Sequence, residues 1–375
     1  MPLARARVAI VHDYVSQRGG AERVVLSMLK AFPGALLYTG VYEPDETFPE
    51  FAQHDVRPLW TNRIGAVRRD HRKGLFLYPF AFQSLRVDAD VVLCSSSGFA
   101  HGVRTTGRKI VYCYTPPRWL YDQAELYLSG WPRPVSAMMK VTGPAFRAWD
   151  RRAAASADQY LTTSTVVRQR VRVAYGRQAE IVPPPVAEFV TGCRSPVTVL
   201  EPHFVLCVAR LLTYKNVDKV IVAFEDLPDK RLVVVGDGPE AGRLAALAGA
   251  NVTLLPEVDD AQLAWLYANC TGVVSAAHED FGLTVVEAAA CGKPVAVLRA
   301  GGFLDTVTEG ETGVFFDEPE ARSIAKAVEQ LFEGVWDITE DRAGEAYFTE
   351  DWFAEQLRET LFAAAASGPG APLAS

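Results

Sequence analysis

Residues 278–294 read HEDFGLTVVEAAACGKP, and the turn that they form decides the fold of the second half of the chain. The apolar residues 272–276 before them predict a buried strand, and the residues after the turn predict a helix that Gly292 and Pro294 end. A helix that starts at a strand end presents unpaired backbone N–H groups and the positive end of its dipole. This stretch therefore predicts an α/β fold with an anion site at the helix start.

Two glutamates flank that helix start, Glu279 in the loop and Glu287 about one turn into the helix. A carboxylate near a sugar commonly accepts hydrogen bonds from hydroxyl groups, so one nucleotide-sugar could contact both side chains. The structural alternative is a capping box formed by Thr284 and Glu287, in which Glu287 only satisfies a backbone N–H. The spacing alone leaves both interpretations open.

The length of 375 residues predicts two domains, and the composition is that of a soluble protein. No apolar run is long enough to span a bilayer, and the chain enters its first strand without a signal-peptide core, so we expect a cytosolic protein. The cysteines are scattered without a Cys-x-x-Cys pair, which argues against a zinc site or a disulfide framework and fits a reducing compartment.

The charge is distributed unevenly along the chain. Residues 1–185 contain 25 Lys and Arg against 15 Asp and Glu, a net of +10, whereas the remainder has 13 against 30, a net of −17. The asymmetry predicts two domains with different partners, and an anionic partner for the first domain.

The first half begins with a strand at residues 8–11, a turn containing Gly19 and Gly20, and a helix. Two further strands, 89–94 and 109–114, end in polar or proline-rich loops. Open α/β sheets bind ligands beyond the carboxyl ends of their strands. The side chains that the sequence places there, and that we single out as candidates, are His101, Arg118 and Asp122.

A group of cations precedes the aromatic and aliphatic run 75–82. This basic cluster consists of Arg63, Arg68, Arg69, Arg72 and Lys73. The pattern is typical of a segment that lies on an anionic membrane, which would place the protein at the inner face of the cell membrane. The alternative is a solvated basic helix followed by a core helix. Nucleic acid is a poorer interpretation because no recognised binding motif accompanies the charge.

The prolines at 183–185 predict a stiff linker, since proline cannot continue a helix or a central strand. We therefore expect an N-terminal domain at 1–186, a C-terminal domain at 187–347, a final helix at 348–366 and a disordered tail at 367–375. Strands and helices alternate in both halves, with helices expected at 145–157 and 166–174 among others, which predicts doubly wound parallel sheets.

The second half delivers Arg210 and, five residues on, Lys215 from the strand at 204–209. Two cations that leave one strand could neutralise a diphosphate, although a solvated pair is the alternative. Gly238 follows the next strand, and Glu257 and Val258 follow the strand after it.

Taken together, these pieces resemble retaining glycosyltransferases of family 4, and in particular bacterial mannosyltransferases of polysaccharide assembly. The resemblance rests on the turn 19–22, residues 183–186, Arg210 with Lys215, residues 236–239, and the Glu-x7-Glu spacing of Glu279 and Glu287. It implies the GT-B fold, in which two Rossmann-like domains face each other across a cleft and the final helix crosses back to the first domain.

The resemblance also implies roles for these residues. Arg210 and Lys215 would bind the donor diphosphate with backbone near Gly19, Gly20, Phe281, Gly282 and Leu283. Glu279 would contact the transferred sugar, and Glu287 the ribose. The base would lie near Glu257 and Val258, with Gly238 in the same donor site, while Arg118 and Asp122 lie on the acceptor side.

One departure from the family concerns Tyr114, which stands where similar chains commonly have a histidine that contacts the donor. Tyrosine can donate a hydrogen bond but does not become a cation near neutral pH. Either Tyr114 fulfils part of that role, His101 substitutes, or activity is reduced. Asp305, which follows the turn at Gly301 and Gly302, is also shorter than the glutamate that similar chains often have at this position.

The resemblance thus implies transfer of a hexose, with mannose from GDP-mannose as the expected donor, to a hydroxyl of a lipid-linked or surface-polysaccharide precursor. Configuration would be retained, without a metal or other cofactor. A UDP-sugar donor or a small-molecule acceptor is one alternative. A GT-B epimerase and a non-catalytic nucleotide-sugar-binding subunit are others.

Overall fold

The computed structural model describes residues 6–121, 133–186, 195–196, 200–256, 258–336, 338 and 348–366. The chain forms two compact units, one of residues 1–185 with 350–375 and the other of residues 186–349. The division falls directly after Pro185, in the proline run where the sequence predicted a boundary.

The first unit is built on a parallel sheet of seven strands in the order β3-β2-β1-β5-β7-β8-β9, with β4 and β6 as a separate pair. Its strands are β1 Val8–His12, β2 Leu36–Thr39, β3 Val56–Pro58, β4 Arg86–Val87, β5 Val91–Ser96, β6 Arg104–Thr105, β7 Arg108–Cys113, β8 Gln159–Thr162 and β9 Glu180–Ile181. Its helices are α1 Gly20–Ala31, α2 Gly65–Arg69, α3 Tyr78–Ser84, α4 Arg133–Ala155, α5 Thr165–Tyr175 and, from the end of the chain, α12 Glu350–Ala366.

The ends of α5 show how the sequence sets these elements. The Ser164 side chain accepts a hydrogen bond from the Val167 N–H, which caps the start, and Gly176 adopts a φ of 66° just past the end. Val167 and Val171 face the core between these caps. Helix α5 was predicted at 166–174, and local signals suffice to place it.

Helix α4 is longer than the sequence predicted, because it continues through Pro144 from Arg133, whereas we expected a start at 145. Proline has a helix-compatible φ, but inside a helix it removes the hydrogen bond to the carbonyl four residues earlier and its ring crowds that carbonyl. Pro144 and Lys140 are both exposed, so water can solvate that carbonyl.

The final helix α12 packs in the core of the first unit, with Phe353, Leu357 and Leu361 fully buried. The Phe353 ring lies edge-on to Tyr112 at 5.7 Å, and Glu350 accepts hydrogen bonds from Ser27 and Lys30 at 2.8 and 2.7 Å. Each fully buried side chain of this size contributes about 1.5–3 kcal/mol. The helix predicted at the end of the chain therefore belongs to the first unit, while the predicted tail at 367–375 lies outside the described residues.

The second unit has a parallel sheet of six strands in the order β12-β11-β10-β13-β14-β15. These strands are β10 Val205–Val208, β11 Leu232–Val235, β12 Val252–Leu255, β13 Gly272–Ser275, β14 Val295–Leu298 and β15 Gly313–Phe316. Its helices are α6 Val217–Ala223, α7 Ala241–Leu247, α8 Asp260–Asn269, α9 Leu283–Ala290, α10 Phe303–Thr306 and α11 Ala321–Glu333. The doubly wound α/β architecture predicted for both halves is confirmed.

Within the described ranges, no helix combines the length and the apolar character that crossing a membrane requires.

Candidate functional site

Loops at the carboxyl edge of the second sheet hold most of the predicted donor residues. Arg210 and Lys215 follow β10, Gly238 follows β11, and Glu279 follows β13, the strand beside β10. Parallel strands end at the same edge, so the fold brings residues that are far apart in sequence to one face of this unit. Arg210 is exposed there.

Lys215 and Glu279 form an ion pair in which the Lys215 Nζ donates to Glu279 Oε1. The two side chains are 12% and 24% exposed, so the pair is partly shielded from water. The Lys215 N–H donates to the Leu212 carbonyl at 2.9 Å, which closes the turn that presents the side chain. The cation and the carboxylate that the sequence assigned to one donor therefore meet in the folded protein.

Asn216 ties the same turn to the neighbouring strand, a contact that sequence reasoning missed. It has a φ of 53°, a left-handed conformation that asparagine tolerates better than most residues. Its Nδ2 donates to the Ala276 carbonyl at 2.8 Å, just past β13. An asparagine directly before an apolar helix was the available signal, because such residues favour helix starts.

The start of α9 is held by close backbone contacts that require glycine. Gly282 has a φ of 91°, and a Cβ there would lie 2.5 Å from the Phe303 ring. The Gly302 N–H donates to the Glu279 carbonyl at 2.9 Å, and a Cβ on Gly301 would lie 2.1 Å from that same oxygen. Gly282 caps α9 without a side-chain hydrogen bond. The helix start has the backbone geometry expected of an anion site.

Phe281, in contrast, is buried, and its ring packs against Phe348 at 5.8 Å. Its side chain belongs to the packing of the unit, so only its backbone is suited to the predicted contact with a donor. Leu283, the first residue of α9, is half-buried.

Glu287 does not form the capping box that its spacing allowed. Its Oε2 accepts a hydrogen bond of 2.6 Å from the hydroxyl of Tyr267, a fully buried residue of α8. Burial raises the pKa of Tyr267, and the Glu287 charge raises it further, so the phenol remains a donor. Tyr267 was missed because its apolar neighbours in α8 give no sign of a polar contact.

The loop after β11 approaches the loop after β10 through two further glycines. Gly236 and Gly238 have φ values of 140° and 159°, and a Cβ on Gly238 would lie 2.4 Å from the Leu211 carbonyl. Asp237 Oδ1 accepts from the Gly238 N–H at 2.7 Å. Val258 is partly buried against the core of the unit, and Glu257, predicted near the base, lies outside the described residues.

In the first unit, Gly19 and Gly20 lie at the start of α1, close to Tyr114. The Tyr114 hydroxyl lies 3.0 Å from Ser95 Oγ and donates to the Ala21 carbonyl at 3.2 Å. Burial raises the pKa of Tyr114, with smaller contributions from nearby carboxylates. Tyr114 is therefore a neutral hydrogen-bonding group beside the glycine turn.

His101 is not placed to meet a ligand, which corrects the expectation that it holds a sugar or phosphate. Its side chain is 2% exposed, and its Nε2 lies 3.0 Å from Asp150 Oδ1. The ring also stacks on Trp149 with centroids 5.8 Å apart. The polar loop after β5 predicted a surface position, but the loop folds back over the sheet and covers the imidazole.

Arg118 is buried at the carboxyl edge of the first sheet, and Asp122 lies outside the described residues. Asp13, which sequence reasoning missed, holds the loop after β5. Its carboxylate accepts from the N–H groups of Ser97, Phe99 and Ala100 at 2.6–2.9 Å. Its position directly after β1 was the available signal.

Comparison with known proteins gives a consistent result. Residues 194–346 match the family described as Glycosyl transferases group 1. A segment of 144 residues, 35% of this chain, is 34% identical to the D-inositol 3-phosphate glycosyltransferase of Mycobacterium tuberculosis. It spans 30% of that relative's length.

Solved structures similar to this one include the sucrose-phosphate synthase of Thermosynechococcus elongatus, with a TM-score of 0.71 at 19% identity, covering 96% of this chain and all of that one. The Anabaena protein HepE, solved in complex with UDP and glucose, gives 0.68 at 18% identity, covering 95% and 99%. The chain therefore has the GT-B glycosyltransferase fold, and its residues 194–346 are similar in sequence to the group 1 glycosyl transferases.

Proposed function

We propose that this protein is a retaining hexosyltransferase that moves a sugar from a nucleoside diphosphate to an acceptor hydroxyl. The observation that carries the proposal is the contact between Lys215 and Glu279 at the strand edge that also presents the start of α9. That edge offers a cation, a carboxylate and unpaired helix-start amides together, which are the groups that a pyrophosphate-linked sugar needs.

The donor diphosphate would bind between Lys215, Arg210 and the backbone at Gly282 and Leu283. Arg210 is exposed and can reach a phosphate with its guanidinium fork, while Lys215 acts as a point charge. As the bond between sugar and phosphate breaks, negative charge develops on the leaving diphosphate. Cations already held in place stabilise that charge without reorganising, which lowers the barrier.

Glu279 has two roles in this proposal. Before the donor binds, it neutralises Lys215; when the donor is bound, its carboxylate accepts from a hydroxyl of the sugar. Its backbone is fixed by the Gly302 N–H, so the side chain is presented from a defined position. Glu287 would accept from the ribose, with Tyr267 holding the carboxylate in orientation.

For the chemical step, we propose attack from the face of the leaving group, with the departing diphosphate accepting the proton of the acceptor hydroxyl. The new glycosidic bond forms on the face from which the diphosphate leaves, so configuration is retained. We also propose that the reaction needs no metal, because Arg210, Lys215 and the start of α9 supply the positive charge that stabilises the departing diphosphate. Chelation with EDTA should then leave the rate unchanged.

The expected donor is GDP-mannose, and the expected acceptor is a lipid-linked or surface-polysaccharide precursor. Both expectations derive from the family resemblance and are part of the proposal. A panel of GDP-, UDP- and ADP-sugars in a thermal-shift assay tests the donor, because a ligand that binds only the folded state raises the unfolding temperature.

The donor that stabilises the protein is then incubated with it in radiolabelled form. Transfer to water or to an added acceptor supports the transferase, and the anomeric configuration of the product, read by NMR, tests retention. An altered sugar without transfer would replace the proposal with an epimerase. Binding without turnover would replace it with a nucleotide-sugar-binding subunit.

We also propose that the basic cluster binds an anionic membrane. Its residues lie on α2 and on the turns before and after it, and Phe80 of the next helix, α3, is 70% exposed. Arg68 pairs with Glu43 at 2.9 Å and Arg72 with Asp70 at 3.7 Å, so part of this charge is already neutralised. Sedimentation with anionic liposomes that is unchanged when Arg68, Arg69, Arg72 and Lys73 are replaced by alanine would exclude this role.

A further inference from the structure

A cavity of about 360 Å³ opens at the amino edge of the first sheet, at the opposite end of the strands from Gly19, Gly20 and Tyr114. It is lined by the connection from β6 to β7, by the last turns of α4 and by the segment that follows it. Ligand sites in proteins commonly have volumes of about 300 to 1,000 Å³. The cavity is large enough for a small metabolite, and the proposed function does not use it.

Lys109 lines this cavity as a buried cation without a carboxylate partner. Its residue surface is 4% exposed, and its Nζ donates to the His101 carbonyl at 3.1 Å and to Ser156 Oγ at 2.8 Å. Both acceptors are neutral, and in the described parts of the chain no carboxylate oxygen lies within 4.0 Å of this ammonium. An ammonium has three N–H donors, so one remains beyond these two bonds.

The carboxylate of Asp158, which lines the same cavity, is already engaged. Asp158 Oδ1 accepts from Arg108 at 2.6 Å, and Asp158 Oδ2 accepts from the backbone N–H of Lys109 at 2.7 Å. Burial accordingly lowers the pKa of Lys109, with Cys94 and Asp158 opposing that shift. Buried lysines are rare unless an anion compensates the charge.

Two exposed arginines, Arg104 and Arg152, line the same cavity. Neither forms an ion pair with any residue that the structure describes, although most charged surfaces mix both signs. Among the described residues that line this concavity, three are cations and one is a carboxylate, Asp158, which is already bonded to Arg108. Such an arrangement concentrates positive potential and attracts small anions.

A structural role for Lys109 explains only part of this arrangement. Ser156 and Ala153 lie at the carboxyl end of α4, where the helix dipole favours a cation. That partial charge is about half an elementary charge, so it offsets only a fraction of the cost of burying a full one. It also gives no reason for Arg104 and Arg152 to converge on the same space.

We propose that this cavity is a binding site for a phosphate group, free or carried by a small metabolite, and that it is separate from the donor site. Lys109 supplies a buried point charge at the floor, and Arg104 and Arg152 supply planar guanidinium groups at the rim, which suit phosphate oxygens. The Trp149 side chain forms one wall, where the organic part of a phosphate ester would lie.

The test is calorimetric titration of the full chain with inorganic phosphate and, separately, with glucose 6-phosphate at constant ionic strength. The titrations are repeated on the Arg210→Ala/Lys215→Ala variant, in which the proposed donor site is disabled. We expect binding of phosphate in both proteins. Tighter binding of the ester than of free phosphate would assign the natural ligand to a phosphorylated metabolite, and the reverse would assign it to free phosphate.

Variants of the cavity decide whether it is the site. Arg104→Gln with Arg152→Gln changes only exposed side chains and should weaken binding at least tenfold, while Lys109→Met should abolish it. The matched control is Arg168→Gln, an exposed arginine of α5 that does not line the cavity. The proposal is overturned if the Arg104/Arg152 double variant binds like the parent, if the parent binds neither probe, or if disabling the donor site abolishes the binding.

Discussion

Replacing Lys215 by alanine tests the proposed site most directly. A lysine and a phosphate about 4 Å apart interact by about 4 kcal/mol at the effective dielectric of a protein surface, so we expect kcat/KM to fall about a thousandfold. The assay is transfer of radiolabelled sugar at donor concentrations below KM, where the rate reports transition-state binding.

The same substitution has a predictable effect on stability. It leaves the Glu279 carboxylate, 24% exposed, without its cation. The cost lies between that of breaking an exposed pair and a buried one, about 2 kcal/mol. A second change, Glu279→Gln, should recover most of that loss without restoring activity, because the uncharged amide needs no cation.

Lys219 provides the matched control, since it is an exposed lysine of the following helix. Lys219→Ala should leave both kcat/KM and the unfolding temperature close to those of the parent. If Lys215→Ala folds and retains more than a tenth of the parental kcat/KM, Lys215 does not stabilise the leaving group and the proposed site is wrong.

Three further perturbations test contacts of residues that surround the candidate site residues. Gly282→Ala places a Cβ 2.5 Å from the Phe303 ring at a positive φ, and it should cost about 1–3 kcal/mol in urea unfolding. Tyr267→Phe removes the hydrogen bond to Glu287; it should lower stability by about 1–3 kcal/mol and raise the donor dissociation constant. Burial lowers the pKa of His12, so the unfolded state binds more protons below about pH 6.5; stability in urea should therefore fall from pH 7.5 to pH 5.5.

Each of these has a control or a contradicting result. Gly242→Ala lies in open space within α7 and should not destabilise, because alanine is the better helix former. A Tyr267→Phe variant with unchanged donor affinity would show that Glu287 does not need orientation. In a His12→Asn variant the loss of stability on acidification should be smaller; an equal loss would assign it to other groups.

Local sequence patterns predicted those strands and helices of this protein whose position is fixed by residues close to them in the chain. Apolar runs marked β1 and β13, and Ser164 with Gly176 bounded α5 by hydrogen bonds within a few residues. Helix α4 was predicted too short because a proline such as Pro144 usually ends a helix. Pro144 and Lys140 are exposed, so water can solvate the carbonyl that loses its hydrogen bond, and the helix continues.

The candidate site likewise contains residues that local patterns predict and residues whose surroundings only the tertiary structure shows. Lys215, Glu279 and Gly282 could be selected from their positions after predicted strands, because parallel strands end at a common edge. His101 looked equally suitable but is covered by Trp149 and paired with Asp150, contacts with residues about fifty positions away. No local sequence pattern predicts which side chains of a loop become buried in the tertiary structure.

The sequence by itself therefore determined that this chain is a pair of doubly wound α/β units with glycine turns and charged residues at strand ends, since periodicity and turn chemistry act over short distances. Only the tertiary structure decided that Lys215 meets Glu279, that Tyr267 rather than a capping bond holds Glu287, and that Lys109 is buried without a carboxylate. These outcomes depend on strand order and packing, which join segments separated by 20 to 64 residues. The energies of ion pairs and hydrogen bonds depend on the distances between atoms in space and on the exclusion of water. A local stretch of sequence determines neither of these two quantities.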